Sequence, residues 1–316
     1  MKIVFMGTPA FAVTVLDRII GAGHEVVGVV TTPDKPAGRG QHLKFSDVKQ
    51  YAVEHQLALY QPEKLKDPTF VEAMQQLKAD AFVVVAFRML PACIYNIPPM
   101  GTFNVHASLL PQYRGAAPIQ WAIMNGETET GVTTFLLDEH TDTGAIIGQS
   151  SVAINPEETA GTLHDKLMEA GANLAVETLH KMETHSLEPK SQIVNEPIKT
   201  APKIFKEDMH IHWNETAEHI ANKIRGLSPY PGAFTFLTEK KDGKKVQLKI
   251  FECSLTDLKS ADNPGSFLLF EQKYLKVATK TYDILLKIIQ VEGKKMMKTS
   301  DFISGFRFEN YTNIFI

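Results

Sequence analysis

The chain has 316 residues, enough for two domains that each bury a hydrophobic core. Its 44% hydrophobic and 22% charged residues are ordinary for a folded protein and exclude a disordered, collagen-like or coiled-coil chain, while two widely separated cysteines exclude a disulfide scaffold. The formal net charge is −3, and it is unevenly distributed, because residues 1–206 hold 17 basic and 22 acidic residues whereas residues 207–316 hold 16 and 14.

No segment has the character of a membrane span or a signal peptide. The longest apolar run, around residues 82–87, is far shorter than the roughly 18 residues that a span requires. The N-terminus continues from Lys2 into a strand-like run and a turn, without a long apolar region or a small-residue cleavage site. We therefore expect a cytoplasmic protein that does not contact membranes.

The first part of the chain alternates strand-like and helix-like stretches. Alternation of this kind predicts βαβ units and a parallel, Rossmann-like sheet. The apolar runs at 26–30 and 82–85 do not alternate with polar residues, as expected for strands covered on both faces. In chain order, the predicted elements are a strand at 2–6, a helix at 10–22, a strand at 25–31, a helix at 46–56, strands at 81–86 and 101–106, a helix at 115–125, strands at 131–138 and 145–154, and a helix at 158–184.

Beyond residue 185 the periodicity fades and three prolines appear, which indicates a linker. We therefore predict a catalytic domain at 1–188, a linker at 189–206 and a second domain at 207–316. The second domain should begin with one helix, capped by Asn214, that ends before Pro229. The short strands predicted after it indicate a small antiparallel barrel of the OB type, a shape often used to bind nucleic acids. They lie at 233–238, 246–252, 265–271, 274–279 and 283–290.

Charge in this second domain is concentrated between residues 240 and 298, where 13 basic residues stand against 7 acidic ones. Such an excess can attract a polyanion. Taken alone, it favours the simpler interpretation of a lysine-rich face that keeps the protein in solution.

Two polar side chains share one face of the strand predicted at 101–106. Residues in a strand alternate between its faces, so Asn104 and His106 point the same way. They lie at the end of a predicted parallel strand, where open α/β sheets bind ligands. Taken alone, a buried histidine beside a structural asparagine is the simpler interpretation. A polar loop between two apolar runs adds Asp142, which could reach the imidazole of His106.

An amide, an imidazole and a carboxylate together suit acyl transfer to an amine without a covalent intermediate. The amide can hold an oxyanion, the imidazole is a base near neutral pH, and the carboxylate orients and stabilises the imidazolium. Ser108 could be argued as a nucleophile, but no Gly-x-Ser-x-Gly elbow surrounds it. This set of residues therefore favours acyl transfer over a serine hydrolase.

The sequence contains weak candidates for two kinds of cofactor site, a metal site and a dinucleotide site. His106, His140 and Asp142 are residue types that bind iron or zinc, but nothing in their spacing demands a metal, and His210 and His212 lack a third ligand nearby. The turn that follows the first strand lacks the G-x-G-x-x-G pattern of a dinucleotide site. We therefore expect neither a metal nor a nicotinamide cofactor.

Several separated motifs are shared with a known family. They are FMGTP at 5–9, PDKPAGRG at 33–40, NVHASLLP at 104–111, YRGAAPI at 113–119, DTG at 142–144 and QVEGKKM at 290–296. On these motifs the chain resembles the methionyl-tRNA formyltransferase family throughout its length. That resemblance implies transfer of a formyl group from 10-formyltetrahydrofolate to the free amine of methionine on initiator tRNA, and we expect a monomer.

The resemblance also implies a role for particular residues. Asn104, His106 and Asp142 would be the catalytic set. Arg88 stands where a glycine is usual in the family. The implied folate contacts are Ser108, Leu109, Leu110, Pro111, Phe87, Arg88, Met89 and Leu90. The implied tRNA contacts are Lys35, Arg39 and Lys44 in one loop and Lys203 and Lys206 in the linker.

Three alternatives stay open. Formyltransferases that act on sugar amines or on glycinamide ribonucleotide share the Asn-His-Asp set, although the loop at 33–40 and the predicted barrel argue against them. A hydrolase could release formate from the same donor without any amine. The chain could also be a non-catalytic tRNA-binding module on a degenerate enzyme fold, against which the intact catalytic set argues.

Overall fold

The computed structural model describes residues 1–37, 42–194, 196–271, 273–307, 310–312 and 314–315. The chain forms two compact units. The first unit comprises Met1–Pro118, Glu129–Ala153 and His164–Pro202. The second unit comprises Ile119–Thr128, Ile154–Leu163 and Lys203–Ile316. The division at 188 and 206 that the sequence suggests stays a prediction.

The elements of residues 1–153 begin with a strand and then alternate. They are β1 (Lys2–Gly7), α1 (Ala10–Gly21), β2 (Glu25–Val30), β3 (Lys35–Ala37), β4 (His42–Lys44), α2 (Asp47–Glu54), β5 (Leu59–Tyr60), α3 (Pro68–Gln76), β6 (Ala81–Val85), α4 (Ala92–Tyr95), β7 (Thr102–His106), β8 (Arg114–Gly115), α5 (Pro118–Met124), β9 (Glu129–Leu136) and β10 (Ile146–Ala153).

A long helix opens the rest of the chain, and short strands follow it. The elements are α6 (Ala160–Glu183), β11 (Thr200–Ala201), a 3-10 turn (Glu207–Met209), α7 (Ala217–Gly226), β12 (Ala233–Thr238), β13 (Lys245–Lys259), β14 (Phe267–Phe270), β15 (Tyr274–Val277), β16 (Tyr282–Val291), β17 (Met297–Lys298) and α8 (Thr299–Gly305).

The main sheet of the first unit has the order β10-β9-β7-β6-β1-β2-β5 among the described residues. The pairs from β5 to β7 are parallel, whereas β9 and β10 are antiparallel additions at one edge. Four adjacent strands each bury a phenylalanine completely, namely Phe5, Phe82, Phe103 and Phe135. This sheet is the Rossmann-like sheet that the alternation of elements predicted.

Helix α1 covers the sheet with an apolar face that includes Phe11, Val15 and Leu16. Side chains cap the two helices that follow. Ser46 accepts a hydrogen bond from the backbone N–H of Lys49 at the start of α2, and Asp67 caps α3, which begins with a proline. The sequence analysis did not predict α3, β5 or the β3–β4 hairpin.

The second unit contains an antiparallel sheet in the order β12-β13-β16-β15-β14, with β17 paired to β16. Its five main strands correspond to the five strands predicted from the sequence, so the predicted fold class is confirmed. Strand β13 runs for 15 residues and contains several register shifts against β16, which bend the sheet. Helix α7 packs against this sheet through Ile220 and Ile224.

The predicted cap of α7 is wrong. The residue that caps the helix is Thr216, whose side chain accepts a hydrogen bond from the backbone N–H of His219. Asn214 lies two residues earlier, outside the capping position. No helix in the described part of the chain has both the length and the apolar character needed to cross a bilayer.

Candidate active site

Strand β7 brings Asn104 and His106 to the carboxyl edge of the parallel sheet. The strand pairs in parallel with β6 on one side and antiparallel with β9 on the other, so its backbone is held along both edges. His106 is the last residue of the strand and its side chain is 7% exposed. Asn104 is half-buried and lies on the same face of the strand.

The hydrogen bond of the His106 ring fixes its tautomer. Nε2 lies 2.9 Å from the backbone carbonyl oxygen of Tyr113. A carbonyl oxygen can only accept, so Nε2–H donates this bond. In the neutral ring, Nδ1 therefore carries the lone pair, and it is the nitrogen available to exchange a proton.

Asp142 enters from the loop between β9 and β10. Its Oδ2 accepts a hydrogen bond of 2.9 Å from the backbone N–H of Gly115 and lies 3.9 Å from Nδ1 of His106. The side chain is 14% exposed. The Asp142 backbone has φ +56°, a left-handed conformation that few residues other than glycine adopt. The carboxylate and the imidazole therefore face each other across a narrow gap at the strand end.

The loop after β7 is held by hydrogen bonds that occupy its polar side chains. Ser108 is fully buried, and its hydroxyl donates to the backbone carbonyl of Gln112. The Thr133 hydroxyl donates to the carbonyl of Ser108 and accepts from the backbone N–H of Leu110. Gln149 donates both to that hydroxyl and to the Leu110 carbonyl. A buried serine hydroxyl used in this way is not a nucleophile.

The residues implied in folate binding occupy two different environments. Ser108, Leu110 and Leu90 are buried, whereas Met89 is 68% exposed. Leu109, Pro111, Phe87 and Arg88 are half-buried. A cavity of about 860 Å³ lies beside the loop after β6, and its lining residues are Lys64, Leu65, Lys66, Arg88, Met89, Leu90, Pro91, Ala92, Cys93, Tyr95 and Glu139.

Arg88 is anchored rather than free. Its two terminal nitrogens donate to the backbone carbonyls of Glu63 (3.0 Å) and Pro62 (2.7 Å), and the guanidinium lies over the ring of Phe87. Burial lowers the pKa of this guanidinium from its usual value. Its Nε is buried and has no hydrogen-bond partner among the residues that the structure describes.

The residues implied in tRNA binding are only partly placed. Arg39 lies outside the described residues. Lys35 and Lys44 are opposite each other in the β3–β4 hairpin. In the second unit, Nζ of Lys203 lies 5.7 Å from the ring of Phe205, which is more than half exposed. Lys206 is exposed at the 3-10 turn that follows.

Asp34, which was not predicted from the sequence, lies at the base of the β3–β4 hairpin. Its carboxylate accepts hydrogen bonds from the ammonium of Lys49 and the side-chain amide of Gln61. These two bonds, that of Lys49 first, lower the pKa of Asp34. The motif at 33–40 contained this residue, but its partners lie in segments that carry no recognisable signal.

Two further residues that contact the Asp142 loop were not predicted from the sequence. Gly115 gives Asp142 its backbone hydrogen bond, and the motif at 113–119 contained it. The side-chain amide of Gln192 binds the backbone carbonyls of Asp142 and Gly144. No sequence signal pointed to Gln192, because it lies in the stretch that was interpreted as a linker.

The metal site considered from the sequence does not form in the described part of the chain. No three His, Cys, Asp or Glu side chains gather there in a way that could hold a metal ion. His140 is exposed, and its backbone N–H donates to Asp138 in the same loop. The rings of His210 and His212 contact each other edge to face, with their centroids 5.1 Å apart.

The Rossmann-like sheet carries an amide, an imidazole and a carboxylate at its carboxyl edge, groups that suit acyl transfer. Family comparisons make the class specific. The formyl transferase family model matches residues 1–179, and the model of the formyl transferase C-terminal domain matches residues 203–307. Both matches, together with the fold, define the class as formyl transferase.

Curated relatives narrow this class. The chain is 47% identical to a methionyl-tRNA formyltransferase of Flavobacterium johnsoniae, covering 100% of this chain and 99% of the relative. It is 50% identical to one of Azobacteroides pseudotrichonymphae, covering 96% and 95%. One of Bacteroides fragilis is 46% identical, covering 97% and 95%. The chain belongs to the methionyl-tRNA formyltransferase family.

Solved structures with lower identity share the fold. One is the N-formyltransferase of Helicobacter canadensis in complex with folinic acid and dTDP-3-aminofucose, with a TM-score of 0.66, 22% identity, and coverage of 90% of this chain and 98% of that chain. Another is HypX of Aquifex aeolicus in complex with tetrahydrofolic acid, with a TM-score of 0.63, 18% identity, and coverage of 96% and 47%.

Proposed function

We propose that the protein transfers the formyl group of 10-formyltetrahydrofolate to the free amine of methionyl-initiator tRNA, which gives N-formylmethionyl-tRNA for translation initiation. The observation that carries this proposal is the convergence of His106 and Asp142, from distant parts of the chain, beside Asn104 at one strand end. Membership of the family supplies the identity of the two substrates.

A folate-type formyl donor fits the cavity beside the β6 loop. Its volume of about 860 Å³ is in the range of small-molecule sites, which run to about 1,000 Å³. Lys64, Lys66 and Arg88 supply positive charge at a site for a ligand that carries carboxylates. Glu139 also lines the cavity and belongs to the loop that carries Asp142, so a ligand there would lie close to the site.

In our mechanism, two members of the catalytic set stabilise the oxyanion and the third balances the charge of the imidazolium. The uncharged amine of methionine attacks the formyl carbon, and the carbonyl oxygen becomes an oxyanion. The Asn104 amide and the His106 imidazolium, through Nδ1–H, donate hydrogen bonds to that oxyanion. Asp142 balances the charge of the imidazolium across the 3.9 Å gap.

The proton balance closes over one turnover. The attacking amine loses one proton, which Asp142 accepts, and the departing nitrogen of tetrahydrofolate gains one from His106 Nδ1–H. The 3.9 Å gap between the two residues is too wide for direct transfer, so Asp142 releases its proton to solvent and His106 regains one from solvent, which returns both residues to their starting state. The new bond joins the formyl carbon to the methionine nitrogen, and the bond that breaks joined that carbon to the donor nitrogen.

The tRNA acceptor is supported by the charge of the second unit. Thirteen basic and 7 acidic residues lie between residues 240 and 298, and we propose that these bind the phosphate backbone together with Lys203 and Lys206, while Arg39 and the hairpin lysines meet the acceptor end. Binding through phosphates weakens steeply with salt. Raising the salt concentration should therefore raise the KM for tRNA much more than the KM for the donor. If the two KM values had the same salt dependence, the second unit would not bind the tRNA phosphates.

We further propose a cytoplasmic monomer with a catalytic domain at 1–188, a linker at 189–206 and an OB-like tRNA-binding domain at 207–316. The family-model matches, which end at 179 and resume at 203, support this division. Sedimentation at catalytic concentrations tests the oligomeric state, because a species of twice the chain mass would contradict it.

One assay tests the whole proposal. Methionyl-initiator tRNA is incubated with enzyme and 10-formyltetrahydrofolate, and the formation of formylmethionyl-tRNA is followed. Sugar amines, glycinamide ribonucleotide and a reaction without any amine serve as parallel substrates. Turnover confined to the charged tRNA is the expected result, whereas formate release without an amine, or tRNA binding without turnover, would point to the hydrolase or to the binding module.

A further inference from the structure

The segments 190–194 and 196–201, here together called the strap, run beside both loops that form the candidate active site. The sequence suggested that this stretch is part of a linker at 189–206. The structure instead ties it to the first unit through its backbone and its side chains. The strap contacts are Lys190 with Ile146, Gln192 with Asp142, Gly144 and Arg114, Pro197 and Lys199 with Gln112, Lys199 with Tyr113, and β11 with β8.

Gln192 is the point of the strap that contacts both loops. Its Nε2 donates to the carbonyls of Asp142 and Gly144, at 2.9 Å each. Its Oε1 accepts from Nε (3.1 Å) and from a terminal nitrogen (2.6 Å) of Arg114. A side-chain amide has two N–H donors and an oxygen with two lone pairs. All four hydrogen-bonding positions of Gln192 are therefore used.

These hydrogen bonds hold a backbone conformation that few residues adopt unless surrounding contacts stabilise it. Asp142 has φ +56°, and a left-handed backbone outside glycine persists where surrounding contacts hold it. Gly144 lies so close to β9 that an added Cβ would lie 1.7 Å from the carbonyl oxygen of Leu136. Gln192 holds the carbonyl groups of these two residues and so fixes the turn that presents the Asp142 carboxylate.

The same amide joins that turn to the other loop. Arg114 binds Oε1 of Gln192, and the neighbouring Gly115 donates its backbone N–H to Oδ2 of Asp142. These contacts therefore form a closed ring that runs from Gln192 through Arg114 and Gly115 to Asp142 and back to Gln192. The backbone of Asp142 and its carboxylate are each held from a different side of this ring of contacts.

We propose that Gln192 is a positioning residue that sets the carboxylate of Asp142 opposite His106, an inference that rests on the proposed function. Gln192 acts on the reaction only through Asp142. Its loss should lower kcat and leave the KM values of both substrates nearly unchanged, because the hydrogen bonds of the amide go to Asp142, Gly144 and Arg114, none of which lines the cavity among the described residues.

Two substitutions test this. Gln192→Glu keeps the size of the side chain and its pairing with Arg114 but removes both donors to the carbonyls. Gln192→Ala removes all four bonds. A misplacement of about 1 Å can lower the rate on the order of 10²-fold, so we expect both variants to lose roughly 10- to 100-fold in kcat. Ile193→Ala is the matched control, since that neighbouring side chain is 72% exposed.

A double-mutant cycle with Asp142→Asn separates positioning from general stability. If Gln192 acts through the carboxylate, Gln192→Glu should lower kcat by less than about twofold when Asp142 is already Asn. A loss that persists in the Asp142→Asn background, or a Gln192→Glu variant with the kcat of the wild type, would overturn the proposal. Failure of the wild type to formylate methionyl-tRNA would instead contradict the proposed function, so the two failures are distinguishable.

Discussion

Nδ1 of His106 and Oδ2 of Asp142 lie 3.9 Å apart, which is too far for a direct hydrogen bond. The Asp142 oxygen is held instead by the backbone N–H of Gly115, and the ring is held through its other nitrogen by Tyr113. The imidazole and the carboxylate are therefore fixed independently, and neither occupies the hydrogen-bonding atom that the other presents. Two groups arranged in this way keep their facing atoms available to a reacting amine.

Asp142→Asn removes the charge and keeps the shape. An amide oxygen can still accept from Gly115, so the loop should persist while support for the imidazolium is lost. We expect kcat to fall by about 10²-fold or more, with smaller changes in KM. Single-turnover formylation measures this. Asp165→Asn on the exposed face of α6 is the control, and an Asp142→Asn enzyme with the kcat of the wild type would exclude the carboxylate from the reaction.

Asn104→Ala should remove one donor to the oxyanion. Loss of such a donor lowers the rate by roughly 10²- to 10³-fold, and the protein should remain folded because Asn104 is only half-buried. Steady-state kinetics beside a thermal unfolding curve separates these effects. Asn96→Ala, at an exposed asparagine after α4, provides the comparison. Near-normal turnover of Asn104→Ala with intact substrate binding would show that the roles are assigned wrongly.

The sequence was sufficient to predict the structure wherever a local pattern of residues determines it. Alternation along 101–106 predicts that Asn104 and His106 share a face, and alternation of strands and helices predicts the sheet that aligns them. Local patterns fail where two choices look alike, as at α7, whose cap is Thr216 although Asn214 is also a favourable capping type. They fail again for Gln192, because its partners lie far away in irregular backbone that carries no periodicity.

Gly115→Ala should disturb the contact between β8 and β11. Gly115 has φ +127°, and an added Cβ would lie 2.4 Å from the carbonyl oxygen of Ala201. The strap would have to move, and we expect a loss of about 1–3 kcal/mol in the free energy of unfolding together with reduced kcat. Chemical denaturation measures the first effect and formylation the second.

Gly21→Ala is the matched control for this substitution. Gly21 ends α1, and an added Cβ there meets nothing within 4 Å. Alanine favours a helix over glycine by up to about 1 kcal/mol, so the control should be neutral or stabilising. If the Gly115→Ala and Gly21→Ala proteins had the same free energy of unfolding, the strap could move away from the added Cβ without loss of stability.

Arg39→Ala should raise the KM for tRNA and leave kcat and the KM for the donor nearly unchanged. The proposal assigns Arg39 to binding of the acceptor and to no step of the chemistry, so its loss should act on ground-state affinity. Steady-state kinetics with each substrate varied in turn measures this. Arg18→Ala is the control, because Arg18 pairs with Glu169 on the surface of the first unit. A fall in kcat at saturating tRNA would assign Arg39 to the reaction instead.

Asp34→Asn should reduce stability in a manner that depends on pH. The hydrogen bonds from Lys49 and Gln61 lower the pKa of Asp34 in the folded protein below its value in the unfolded chain, which is roughly 3.9. The stability that Asp34 contributes is therefore complete above the unfolded pKa and disappears as the pH falls through the lowered folded pKa. We expect the Tm of the wild type to exceed that of Asp34→Asn at about pH 5 to 7, where the pH is above the unfolded pKa. The difference should shrink in more acidic buffer, and Asp262→Asn, at an exposed residue, should show little difference at any pH. A Tm difference that grows on acidification would show that Asp34 does not anchor the hairpin as a carboxylate.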